Sequence, residues 1–162
     1  MAELHDLTAL EQGAAIAAGE VSSAELVEHY LERIATRDDV GAFVTVTADQ
    51  ARERARSASP GAGPLSGVPT AVKDLNATAG VRTTFGSAAY DNFVPEVSDG
   101  VVLAMEAAGL VSLGKTATPE FGSPCYTEPD GRPPSVTPWD RTRTAGGSSG
   151  GAAAAVAAGL VP

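Results

Sequence analysis

The sequence predicts an α/β fold, and three observations predict it. The first third carries helical periodicity with clear start signals, from residue 65 onward helix and strand patterns alternate, and a charge-free alanine run near the end suits a helix buried in a layered core. Thr8-Ala-Leu-Glu11 is a capping box for a short helix that ends at Gly19. A second box runs from Ser22 to Glu25, with Val21 placed to staple onto Leu26. Leu26, Val27, Tyr30, Leu31 and Ile34 then fall on one helical face. Thr47 and Gln50 open a third helix reaching about Ser57, so residues 1–58 read as a helical layer.

Ser59-Pro-Gly-Ala-Gly-Pro64 is a loop by its proline and glycine content. Beyond it, Pro69 to Leu75 suits a buried strand, Ser98 to Ala108 a helix ending at Gly109, and Leu110 to Leu113 another strand. Glu128 to Trp139, with four prolines, reads as an extended loop. Ala152 to Ala158 is a strong helix former without a charged face, and is expected to be buried on every side. Leu160-Val161-Pro162 is expected to open a strand.

Bulk properties narrow the function classes. The chain has 162 residues, 43% hydrophobic and 19% charged, within the globular range. Eleven basic residues against twenty acidic ones give a net charge of −9, which argues against direct nucleic-acid binding. The closing uncharged segment is too rich in Gly, Ser and Ala for a membrane span. The single cysteine, Cys125, excludes an internal disulfide, and together with an N-terminus unlike a signal peptide it points to the cytoplasm. Neither a metal nor a cofactor is expected.

Four stretches invite chemistry. Gly109-Leu-Val-Ser-Leu-Gly114-Lys115-Thr116 fits the P-loop pattern, but its context opposes that reading. A P-loop follows a strand and opens a helix. Here the intervening residues are themselves strand-like, a helix comes before and Pro119 after, so Lys115 reads as a structural or pocket-edge lysine. Cys125, with no histidine near it in sequence, reads as an ordinary free thiol, and His29 as a helix-surface residue. Lys73, in the apolar run Ala-Val-Lys-Asp-Leu, has two readings. It forms an ion pair, with Asp74 the nearest partner in sequence although neighbours on a strand point to opposite faces. Or burial lowers its pKa and makes it a general base. Gly146-Gly-Ser-Ser-Gly-Gly151 resembles a linker by composition, yet it runs straight into the alanine helix. Backbone amides and hydroxyls at such a helix start can hold a carbonyl or an anion.

Taken together, several ordered motifs resemble the amidase signature family. They are Gly67-Val-Pro-Thr-Ala-Val-Lys-Asp-Leu75, Gly80-Val-Arg-Thr-Thr-Phe-Gly-Ser87, Leu113-Gly-Lys-Thr-Ala-Thr-Pro-Glu-Phe-Gly122, Pro138-Trp-Asp140 and the Gly146 to Gly159 run. The resemblance implies a mixed β-sheet core covered by helices, of which this chain is the N-terminal portion, with the α/β core starting at 65 and interrupted at 162. It also implies a Ser–Ser–Lys mechanism for hydrolysis of a carboxamide to carboxylate and ammonia or amine through an acyl-enzyme. Lys73 matches the catalytic lysine, and Ser148 the bridging serine, whose preceding peptide bond is cis in the family. Gly147 and Ser149 beside it are expected at the substrate. The nucleophilic serine of the family lies beyond residue 162, so the chain by itself is expected to be inactive. One departure is Thr137, where the family carries Asn before Pro-Trp-Asp. The expected partners are a small carboxamide substrate and a complementing C-terminal portion or a second copy of the chain. Thr-Ala-Thr-Pro-Glu-Phe-Gly favours stand-alone amidases over the glutaminase subunits of glutamyl-tRNA amidotransferases, and a non-catalytic fragment is the further alternative.

Overall fold

The computed structural model describes residues 3–162. Among the described residues, besides three short 3-10 turns, five α-helices and five strands follow one another: α1 (Ala9–Ala18), α2 (Ser23–Arg37), β1 (Phe43–Val46), α3 (Ala48–Arg56), β2 (Pro69–Lys73), α4 (Gly100–Ala107), β3 (Val111–Thr116), β4 (Val136–Thr137), β5 (Asp140–Thr144) and α5 (Gly150–Ala157). Both capping boxes form: the Thr8 and Ser22 hydroxyls accept the amides of Glu11 and Glu25, whose carboxylates reach back. Gly19 closes α1 in the left-handed conformation. Thr47 precedes α3 without a side-chain cap bond.

The sheet has strand order β1-β3-β2, with β2 parallel and β1 antiparallel to the central β3. Strand β1 lies inside the stretch expected to be wholly helical. Phe-Val-Thr-Val is a β-branched and aromatic run, and Asp38 turns the chain into it by accepting the amides of Ala42 and Phe43 at 2.8 and 2.9 Å. Strand β3 runs three residues further than its sequence signal, because Gly114, Lys115 and Thr116 pair with β1 and β2. The Gly-Lys-Thr of the P-loop pattern is therefore strand backbone. A short β4–β5 ribbon occupies the end of the region expected as loop, its register set across Pro138 and Trp139.

Side chains of α2 and α5 join Val68, Val111 and Leu113 in the core. Leu26, Val27 and Tyr30 of α2 are fully buried, the two aliphatic side chains contributing about 1.5–3 kcal/mol of transfer free energy each. On the opposite face Thr70, Val72, Ser112 and Lys115 look across a cavity of about 270 Å³ toward α4. The closing segment is packed on one side. Helix α5 is buried only along Gly150, Gly151, Ala154 and Ala155, while Val156 is 55% exposed. A helix of small residues lies close on the sheet with one stripe and leaves the other without a neighbour among the described residues. Leu160 and Val161 pair with no strand among the described residues and are buried in the same core.

Candidate active site

Lys73 is the last residue of β2, and Ser148 lies in the turn that leads into α5. A bulge in β3 sets how they meet. Thr70 pairs with Ser112, but Val72 pairs with Lys115, so β3 carries one extra residue there. Gly114 sits in the bulge at φ +149°, with the Thr45 carbonyl where a Cβ would stand. The extra residue re-aims everything after it. Lys115 shares the face of Val72, and Thr116 shares the face of Lys73.

On the α5 face the Lys73 Nζ donates to Ser148 Oγ at 2.8 Å. Lys73 is half-buried, and burial alone pushes its pKa below the ordinary lysine range. It has no ion pair with Asp74, whose side chain projects to the other face and lies 3.7 Å from Lys115. There the Lys115 Nζ donates to the Asn76 carbonyl at 2.6 Å, to Thr83 at 2.8 Å and to Thr78 at 3.2 Å. Burial brings the Lys115 pKa down to about 8, against the pull of Asp74. Asp74 is raised by burial, while the Thr84 amide and hydroxyl, which it accepts, hold it down. Both shifts have desolvation as their leading cause, in keeping with a pair whose two side chains are buried.

The Gly-rich turn is held from three sides. The Gly147–Ser148 peptide bond is cis. A Cβ on Gly147 would stand 2.7 Å from the Tyr126 amide nitrogen, so glycine is required where the two segments of backbone cross. Thr127, fully buried, donates to the Gly146 carbonyl at 2.8 Å and accepts the Gly150 amide at 3.0 Å. Thr118 donates to the Ser148 carbonyl at 3.1 Å, and the Gly151 amide donates to the Ala117 carbonyl. Nothing at the sequence level singled out Thr127, because its bonds reach residues 19 and 23 positions away.

The structure thus joins Lys73 and Ser148 directly. Gly147 and Ser149 are both exposed at the mouth of the same turn, and the Ser149 side chain makes no cap bond. Cys125 is an exposed free thiol whose backbone passes behind Gly147. His29 lies away from this site, stacked on His5 with ring nitrogens 3.2 Å apart. Among the described residues no cluster of three or more His, Cys, Asp or Glu side chains is arranged to hold a metal ion, and no helix is long and apolar enough to cross a membrane. Burial favours the neutral form of Lys73, and its contact with a serine hydroxyl at an open turn is the geometry that proton transfer between the two groups requires.

The family model described as Amidase matches residues 25–162. A glutamyl-tRNA(Gln) amidotransferase subunit from Thioalkalivibrio sulfidiphilus is 47% identical over 165 residues, 98% of this chain and 34% of its own length. The solved structure of 6-aminohexanoate cyclic dimer hydrolase superposes with a TM-score of 0.91 at 34% identity, over 100% of this chain and 34% of that one. The corresponding glutamyl-tRNA(Gln) amidotransferase subunit from Thermotoga maritima superposes with a TM-score of 0.83 at 36% identity, over 99% of this chain and 34% of that one. The chain spans about a third of the length of these relatives.

Proposed function

The chain belongs to the amidase family, and from that premise we propose that it supplies the proton relay of a cytoplasmic enzyme that hydrolyses the C–N bond of a carboxamide. The observation that carries this reading is the 2.8 Å contact of Lys73 Nζ with Ser148 Oγ, on a lysine that burial shifts toward its neutral form. In the proposed sequence the neutral amine takes the Ser148 proton while Ser148 takes one from a nucleophilic serine. That serine attacks the carbonyl, the amine leaves with the returned proton, and water releases the carboxylate from the acyl-enzyme. Gly147 and Ser149, at the open side of the turn, border the substrate. The nucleophilic serine comes from the part of the relatives' length that this chain does not span, carried by a complementing C-terminal portion, and a second copy of the chain is a further partner of the whole enzyme.

A second reading concerns the amide. The 47% identity to an amidotransferase subunit favours the side-chain amide of glutamine, with the ammonia passed on, over the stand-alone amidase that the Thr-Ala-Thr-Pro-Glu-Phe-Gly stretch suggests. Ammonia release separates the two. Residues 1–162 alone are expected to release none from glutamine or from simple carboxamides, whereas a protein extended over the full length of the relatives does, and Lys73→Ala in that longer protein lowers kcat by at least about a thousandfold. Near-normal turnover by Lys73→Ala sinks the relay. Preference for glutamine over simple aliphatic and aryl amides decides for the second reading.

A further inference from the structure

Among the described residues the Lys73 Nζ has one hydrogen-bond partner, Ser148 Oγ. A neutral amine that receives the Ser148 proton must turn its lone pair toward Ser148, which leaves two N–H groups in need of acceptors. Across the parallel ladder Lys73 is in register with Thr116, so the two side chains rise side by side on the α5 face. Thr116 is fully buried, and its hydroxyl has no hydrogen-bond partner among the described residues. A buried hydroxyl without a partner is costly, by about 1–3 kcal/mol, and a native fold keeps one there for a reason. The bulge at Gly114 is what brings a threonine to this position; in an unbulged ladder Lys115 would oppose Lys73.

We propose that Thr116 is a positioning residue for Lys73: its Oγ1 accepts an N–H of the Lys73 amine, by rotation about χ1 or through one buried water, and so aims the lone pair at Ser148. What the contact is for rests on the proton relay above; the contact itself does not. The acceptor also favours the charged ammonium, so its removal lowers the Lys73 pKa further.

The chain has only two lysines, Lys73 and Lys115, so their side-chain NMR resonances can be followed through a pH titration without any activity. In Thr116→Val, which keeps the shape, the Lys73 midpoint is expected to fall by about half a pH unit or more, and in Thr116→Ser to return. An unmoved midpoint in a folded Thr116→Val overturns the proposal. Should that variant fail to fold, the unsubstituted chain decides: the Thr116 methyl resonance titrates with the Lys73 midpoint, and a flat response overturns the proposal equally. In the extended enzyme Thr116→Val lowers kcat about tenfold at unchanged KM and shifts the acid limb of the pH–rate profile with the Lys73 midpoint. If Lys73→Ala leaves hydrolysis intact while the Lys73 midpoint still answers to Thr116, the relay fails and the contact stands.

Discussion

Lys73 and Lys115 are the chain's two lysines, on neighbouring strands and opposite faces of one sheet, and they show how partners decide a side chain's role. Lys115 is 1% exposed and surrounded by three oxygen acceptors and the Asp74 carboxylate. Lys73 has a serine hydroxyl and, among the described residues, no carboxylate. Removal of Lys115 strands a buried carboxylate, so Lys115→Met should cost about 3–5 kcal/mol in denaturant unfolding. Adding Asp74→Asn in that background should restore part of the loss, because the uncompensated charge goes with it. An unchanged unfolding midpoint for Lys115→Met would refute the buried-pair assignment. Thr127 is the second residue whose weight the contacts reveal. Thr127→Val removes a donor to Gly146 and an acceptor for Gly150, and should cost about 1–3 kcal/mol. Its sharper mark is faster hydrogen exchange at the Gly150 amide; if that amide stays as protected as before, Thr127 does not hold the turn.

Among the elements, β3 bears the most consequence. Its bulge decides which face each lysine serves, and Gly114 is the residue that permits it. Gly114→Ala meets both an unfavourable φ and the Thr45 carbonyl, and should destabilise by about 2 kcal/mol or more, read as a lower denaturation midpoint. The N-terminal turn, α2 and the end of α5 form a separate junction. Arg33 donates to the Gly159 and Ala158 carbonyls at 2.6 and 3.1 Å, while His5 stacks on His29 beside it. Burial, and then the charges of His5 and Arg33, hold His29 below its ordinary value of 6.5, with Glu3 and Glu32 opposing. The folded chain therefore prefers the neutral imidazole. Its contribution to stability is complete above about pH 6.5, declines as pH falls below that, and levels off once the folded midpoint is passed. The melting temperature should drop over that window, and His29→Gln should flatten the drop; an identical slope in the variant removes His29 as the cause.

For the whole molecule, what matters is which surface the fold leaves apolar. Val156 on α5, with Val101 and Leu103 on α4, stands half-exposed, and Trp139 is 82% exposed. A net charge of −9 opposes association, but an apolar helix stripe favours it locally. Sedimentation velocity should show concentration-dependent self-association that Val156→Glu diminishes. If the variant associates as strongly, that stripe is not the contact. The legible parts of the fold were those written in local chemistry: two capping boxes, the apolar stripe of α2, the left-handed glycine after α1 and the strand around Lys73. Less legible were β1, which four residues signal too briefly beside strong helices, and the β4–β5 ribbon, whose Pro-rich approach reads as loop.

The amino-acid sequence by itself determined that an α/β core is present, that Lys73 lies on an apolar strand, and that Ser148 lies in a glycine-rich turn ahead of an alanine helix. These follow from composition and periodicity, which act over a few residues. Only the tertiary structure placed Lys73 against Ser148, since that partner lies 75 positions away and Asp74 turns to the opposite face toward Lys115. It also decided that Thr116 rises beside Lys73, because one extra residue at Gly114 inverts the side-chain alternation of β3 after that point. A bulge is a property of the pairing between strands, so it leaves no mark in either strand alone.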